Sequence, residues 1–414
     1  MIRKILCAIV ACLLVVGASA SLTVDSNDAG YAKPKVAAVD YSQDASSTNQ
    51  ALMSKFEFAI LGYRTGMAAF TNGIHSRNSS EQMAIYAVAT ELQCSRPSSN
   101  SYNYEIWNHV QKYDMWLRKA DGTHSQWTTS YGACDMNISQ WGRRDGAGYT
   151  WPQYKAHYDY DHILKYSPYA KYVFSDNAFD KPRVDADWRR IGTNQSRTDS
   201  TIIDAQRAGQ VQFWDTLNSL GKKVIGNADS TLSNSRYVGQ LHGAFNEGLM
   251  GKSWSAESWA GWDAAMDRFR ATVRNTSEHM AFFQVYGDAT DYKMMRYGLC
   301  SALMVDNGWY VYLQPTGTMR SRWYDEYDAH IGTPLYAAPT APYPVSQGGD
   351  GNYWRRTYSN GLVLVNPSKT KTSYVHVPAG YKRLHGTQDP AVNNGQVVST
   401  VTLPPRSGLL LIRN

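Results

Sequence analysis

The stretch Lys171-Tyr-Val-Phe-Ser-Asp-Asn-Ala-Phe179 joins a β-prone apolar run, Tyr172 to Phe174, to an acid and an amide, Asp176 and Asn177. In a parallel α/β barrel the strands are covered on both faces, so they read as apolar runs rather than alternating ones. The polar residues at their C-terminal ends face the mouth of the barrel, where chemistry is done. A carboxylate placed there is positioned to attack or stabilise an electrophilic carbon. The fold therefore turns on whether seven similar runs and a second carboxylate accompany this one.

Working outward, the runs at 56–61, 85–89, 115–117, 224–227, 240–245, 282–286 and 309–312 also read as strands, which makes 172–174 the fourth of eight. Ile203, Val211, Trp214 and Leu217 recur at helical spacing after it, and Gly221 is well placed to stop that helix. Trp259, Trp262, Met266, Phe269 and Val273 outline a second amphipathic helix. Strand-like runs separated by helical patterns predict an α/β fold, a (β/α)8 TIM barrel over 51–333. The segment 124–160 is long, irregular and rich in Gly, Trp and Tyr. Loops of that length usually serve function or are disordered, and the aromatic density points to function.

The flanks read differently. Residues 1–20 have the order of a signal peptide: Arg3-Lys4, an apolar run to Val16, then Ala18-Ser-Ala20 as a cleavage site. That run is shorter than the ~20 residues a membrane span needs, so a secreted chain, extracellular or periplasmic, with no integral membrane segment after processing is expected. Residues 21–50, polar and without periodicity, read as a mobile leader. Residues 334–351, rich in Pro, Gly and Ala, read as a linker, and short strands over 352–414 as a small C-terminal antiparallel β domain.

Of five cysteines, Cys7 and Cys12 fall in the signal peptide. The remaining three allow a Cys94–Cys134 bridge with Cys300 as a buried thiol, and equally three free buried thiols. Their spacing matches no metal site, and no cofactor motif occurs. A net charge of +6 on 414 residues, without Lys/Arg clusters, speaks against a nucleic-acid partner. Thirteen Trp and 29 Tyr speak for carbohydrate. Flat aromatic faces cover the C–H faces of sugars, and their polar tips bond the rims.

Acids follow several strands: Glu91, Asp121, Asp176, Asp229, Glu247 and Asp288. Glycoside hydrolysis needs two carboxylates facing one sugar, one as acid and one as nucleophile or base. Asp176 and Glu247 are the expected pair, since they follow the fourth and sixth strands, whose side chains share alternate layers of a barrel. An acid at a strand end also serves commonly as a helix cap; that reading suits Asp229, whereas Glu is a poor cap at 247. Asn177, Asn246, Tyr286, Arg64, Glu91, Trp127 and Asp288 are the expected substrate contacts. The competing reading is a non-catalytic carbohydrate-binding barrel of a cell surface or matrix, which would keep the aromatics and be indifferent to both acids.

With Tyr172-Val-Phe-Ser-Asp-Asn177 and Phe245-Asn-Glu-Gly248 stand Trp323-Tyr-Asp-Glu-Tyr327, Ile331-Gly-Thr-Pro334, Tyr353-Trp-Arg355, Asn360-Gly-Leu-Val-Leu-Val-Asn-Pro367 and Val401-Thr-Leu403. Through these pieces the chain resembles the uncharacterised glycosyl-hydrolase-like barrels of family fifteen. The resemblance implies a barrel with a C-terminal β domain and glycosidase activity, without naming a sugar. An Asp after strand four and an acid after strand six also look like the α-galactosidase type, which implies a retaining arrangement.

Overall fold

The computed structural model describes residues 32–228, 232, 234–314, 319–340 and 352–414. The expected signal peptide, the acid at 229 and residues 341–351 of the expected linker lie outside the described residues. Eight parallel strands form one sheet: β1 (Ala37–Asp40), β2 (Phe58–Leu61) and β3 (Gln82–Val88) come first. A side ribbon of β4 (Glu91–Gln93) and β5 (Ala133–Asp135) interrupts the sequence. The main sheet then resumes with β6 (Tyr172–Asp176), β7 (Lys223–Asn227), β8 (Gly243–Met250), β9 (Met280–Tyr286) and β10 (Gly308–Leu313). The last strand returns to the first through a parallel bridge between Val36 and Tyr310, so the sheet nearly closes into a barrel.

Helices α1 (Ser47–Met53) and α2 (Met67–Arg77) follow β1 and β2; α3 (Asn103–Tyr113) and α4 (Trp151–His162) lie between β3 and β6. Helix α5 (Ser200–Ser219) follows β6, α6 (Ala256–Ala260) and α7 (Trp262–Asn275) follow β8, and α8 (Tyr292–Ala302) follows β9. No helix joins β7 to β8 among the described residues. None of the described helices is long and apolar enough to cross a membrane.

Two expectations about the strands need correction. Ala37–Asp40 falls in the stretch that reads as a mobile leader, yet it is a fully buried barrel strand. Its four residues are too few to show a pattern amid Ser, Asp and Asn. Conversely, the run 115–117 is no barrel strand. Trp116 bridges Met136 beside the ribbon, and both pack in a separate apolar cluster with Ile106, Trp151 and Trp188. The helix expected through Trp259 and Trp262 breaks at Gly261, whose φ of +93° a side chain would oppose. Trp259 is thereby thrown out of the buried stripe.

The barrel interior is plugged by aromatic rings. Phe58 packs against Tyr172, Phe282 and Trp309 with centroids 5.3, 4.9 and 5.6 Å apart. Such tilted pairs add ~0.5–1.5 kcal/mol each beyond simple burial. Because alternate residues of a strand share a face, the plug fixes which residues of each strand point inward at the mouth.

Beyond residue 351 come β11 (Trp354–Thr357), β12 (Gly361–Asn366), β13 (Ser373–His376), β14 (Tyr381–Arg383), β15 (Thr400–Leu403) and β16 (Ser407–Arg413). They form a four-stranded antiparallel sheet ordered β11-β12-β16-β14 and a pair, β13-β15. The sheet lies against α8. A Cβ on Gly408 of β16 would stand 2.5 Å from the Arg296 carbonyl of that helix, so only glycine permits the approach. Arg296 itself is buried and salt-bridged to Glu326 at 3.0 Å and to Asp389 at 2.6 Å, tying the two parts together.

Candidate active site

The inward face of each strand continues from the aromatic plug to the mouth. Two residues after Ala84, Phe174, Ile225, Phe245 and Gln284 come Tyr86, Asp176, Asn227, Glu247 and Tyr286. All five line one cleft of about 870 Å³ at the C-terminal ends of the strands. They belong to five strands that neighbour one another in order, β3, β6, β7, β8 and β9.

Their side chains form one hydrogen-bonded set. The Tyr86 hydroxyl donates to Asp176 Oδ2 at 2.7 Å and the Tyr286 hydroxyl to Glu247 Oε1 at 2.9 Å. Asn227 Nδ2 donates to Asp176 Oδ1 at 2.8 Å and to Glu247 Oε2 at 2.9 Å. An amide nitrogen carries two hydrogens, so this one is fully used, and turning the amide would set its oxygen against two carboxylates. The two acceptor oxygens can be no farther apart than two hydrogen bonds laid end to end, roughly 5.7 Å. Burial, and then the charges of Asp176 and Glu247, raise the titration of Tyr86 and Tyr286 well above the ordinary phenol range, so both remain donors. Asp176 is half-buried, whereas Glu247 stands exposed to the cleft.

Glu247 owes its position to an irregularity in β8. Asn246 pairs with Phe283 and Met250 with Val285, so three residues, Glu247 to Leu249, face Gln284 alone. Such bulges re-aim side chains beside active sites. Gly248 takes a φ of +56°, and a Cβ there would meet the Trp254 ring at 2.3 Å. The Gly248 N–H, deprived of its ladder partner, donates to Gln284 Oε1. Gln284 is buried, and its Nε2 makes no hydrogen bond among the described residues.

The ribbon forms another wall. Glu91 of β4 accepts from Trp127 Nε1 at 2.6 Å, and both line the cleft. Burial, with the charge of Asp176 adding, raises the Glu91 carboxyl above its usual range, though the Trp127 bond opposes this. Trp127 is held from behind, its backbone N–H donating to Asp135 Oδ1 at 3.3 Å. The Cys94–Cys134 disulfide closes the loop that carries Trp127 and Tyr131, and Cys300 is a buried free thiol.

Of the residues expected from sequence, Asp176, Glu247, Asn177, Asn246, Tyr286, Glu91 and Trp127 line the cleft. Two do not. Arg64 is fully buried in an ion pair with Asp40 at 2.8 Å and also donates to the Asp44 carbonyl at 2.7 Å. It is a structural cation, not a substrate contact. Asp288 lies past the end of β9, exposed and outside the cleft lining. Asn246 is nearly inaccessible, with neither amide atom bonded among the described residues. Asn227, Tyr86, Gln284 and Trp254 went unforeseen; inward parity from the strand cores is the signal that finds the first three. No group of His, Cys, Asp and Glu side chains suited to a metal occurs among the described residues.

A model of the family described as hypothetical glycosyl hydrolase family 15 matches residues 75–362. No curated protein matches the chain. Among solved structures, a cycloalternan-degrading enzyme from Trueperella pyogenes is similar at a TM-score of 0.46 and 8% identity, over 91% of this chain and 62% of that one. A debranching enzyme of Nostoc punctiforme gives 0.42 and 11%, covering 87% and 86%. An α-amylase from Anoxybacillus gives 0.43 and 9%, covering 89% and 88%. The chain thus spans under two thirds of the cycloalternan-degrading enzyme's length.

Proposed function

The chain belongs to hypothetical glycosyl hydrolase family 15, a membership that makes it an enzyme of glycosidic-bond hydrolysis, and from this premise we propose that it cleaves an oligo- or polysaccharide with retention of anomeric configuration, using Asp176 and Glu247. The observation that carries this reading is the single Asn227 nitrogen shared by both carboxylates. That bound, set on one oxygen of each group, suits the ~5–5.5 Å separation of retaining enzymes better than the ~6.5–9.5 Å that leaves room for an inverting water.

Asp176, the more enclosed acid, is the nucleophile. Tyr86 and Asn227 hold one of its oxygens each, which fixes the carboxylate plane before the sugar arrives. Glu247, open to the cleft, protonates the leaving oxygen as Asp176 bonds to the anomeric carbon. It then takes a proton from the water that releases the glycosyl ester. The proton given up in the first step is thus restored in the second, and Glu247 ends the cycle as it began. We read the ring of strands as a (β/α)8 barrel with one connection simplified. Export is proposed from the N-terminal pattern, and the Cys94–Cys134 bridge supports it, since disulfides persist in oxidising compartments.

Proton NMR of the first product formed tests the mechanism. A hemiacetal with the configuration of the cleaved bond is expected. The opposite anomer as first product would overturn the retaining assignment.

A further inference from the structure

Thirteen tryptophans occur in the chain, and only Trp254 and Trp259 rank among the exposed large apolar side chains of the described residues, at 53% and 66%. Both line the cleft. They sit on the short segment after β8, just beyond Glu247, and are fixed relative to one another by Trp259 Nε1 donating to the Trp254 carbonyl at 3.2 Å. Trp254 meets Tyr286 edge-on at 5.9 Å, and the Arg268 guanidinium lies 6.0 Å from the Trp259 ring. Large aromatic faces left in water mark a surface that a ligand covers. Tyr63 and Tyr131 stand exposed in the same cleft, at 36% and 74%. Tyr63 follows the second strand of the ring, across the mouth from the sixth, which the tryptophans follow, whereas Tyr131, on the ribbon loop after the third, comes near enough to Tyr286 to affect its titration.

The tryptophan segment is braced from the C-terminal sheet. Glu257 of α6 is fully buried, and its Oε2 accepts from Arg406, in the turn before β16, at 2.6 Å. Lys369 reaches the Ser258 carbonyl at 2.9 Å. A buried carboxylate deprived of its cation would be forced out or neutralised, so the position of α6 depends on the β sheet.

We propose that Trp254 and Trp259 form a sugar-stacking platform outside the pair of residues joined by the scissile bond. The cleft then takes an internal stretch of a polysaccharide, and the C-terminal sheet serves to hold that platform through Arg406 and Glu257. This rests on the glycosidase reading above and extends it to the form of the substrate. The tryptophan rings offer faces to chain units on one side of the mouth, and Tyr63 offers one across it.

The test is affinity electrophoresis through gels containing soluble starch, dextran, pullulan, xylan, carboxymethylcellulose or polygalacturonate, followed by kinetics on whichever is cleaved. The parent is expected to be retarded by at least one polymer, and Trp259→Ala to lose most of that retardation. On the cleaved polymer Trp259→Ala should raise KM by up to about tenfold, and by much less on the shortest fragment hydrolysed. Arg406→Met should reproduce the polymer-selective loss, and Arg406→Lys should restore it. Retardation of the parent by none of the gels, or equally by parent and Trp259→Ala, would overturn the platform, as would KM rising alike on long and short substrates. Polymer binding without hydrolysis by the parent would instead remove the glycosidase reading and leave the platform standing.

Discussion

The side-chain nitrogen of Asn227 lies 2.8 Å from Asp176 Oδ1, and its second hydrogen is taken by Glu247 at 2.9 Å. One neutral donor thereby ties the two carboxyl groups to a single nitrogen. Asn227→Ala should leave the fold intact, since the residue is half-buried at a strand end. Loss of one preorganised donor at a reacting centre costs about 10²–10³-fold in kcat, and that range is expected here with KM changed little. Wild-type kcat in Asn227→Ala would show the bridge to be incidental.

Gln284 stands one layer beneath Tyr286 and takes the hydrogen bond that the bulge in β8 withholds from the ladder. Gln284→Met keeps the volume and removes the acceptor. Turnover should fall by about tenfold or more as Glu247 loses its aim, in line with the sensitivity of catalysis to small misplacements. Gln284→Glu keeps an acceptor but adds negative charge beside Glu247. Its alkaline pH limb should move upward, because a nearby like charge disfavours ionisation. An unshifted profile together with parental turnover in Gln284→Met would assign Gln284 to packing alone.

The disulfide closes a loop with a sequence separation of 40 that carries Trp127. Loop-closure entropy puts its stabilisation at about 4 kcal/mol. Cys94→Ser with Cys134→Ser should therefore lower the melting temperature markedly and weaken substrate binding, because the wall formed by Glu91 and Trp127 loosens. Melting curves with and without reductant check the first part; a parental curve under full reduction would contradict it.

Glu81, just before β3, is 5% exposed, and neither carboxyl oxygen has a hydrogen-bond partner among the described residues. Burial raises it from 4.5 to about 9. Between those values the folded chain keeps a proton that the unfolded chain releases, so this group's contribution falls as pH rises through the window. Glu81→Gln should stabilise the protein by about 3 kcal/mol near pH 7 and by almost nothing near pH 4. A stability difference that stays constant between pH 4 and pH 8, followed by urea denaturation, would contradict the neutral buried acid.

Eight strands are legible in the sequence only through two misreadings that cancel: Ala37–Asp40 is too short and too plain to register, and the run at 115–117 reads as a strand although its apolar residues serve the cluster beside the ribbon. Asp176 and Glu247 kept their places after the fourth and sixth strands because the errors both fell upstream. Arg64 was misread for the same reason. Its partner Asp40 belongs to the overlooked strand, so a buried ion pair looked like a free cation at a strand end. Asn227 and Tyr86 resemble ordinary strand residues unless the inward parity set by Ile225 and Ala84 is followed to the mouth. The brace from Arg406 to Glu257 joins residues 149 positions apart and leaves no local pattern to read.

The most direct measurement of the central claim is reducing-end release from a broad polysaccharide panel by the parent, Asp176→Asn and Glu247→Gln. The parent should release reducing ends from at least one polymer, and each variant should lose about 10²–10⁴-fold of that rate while melting as the parent does. Equal release by the parent and both variants would contradict the assignment of this pair.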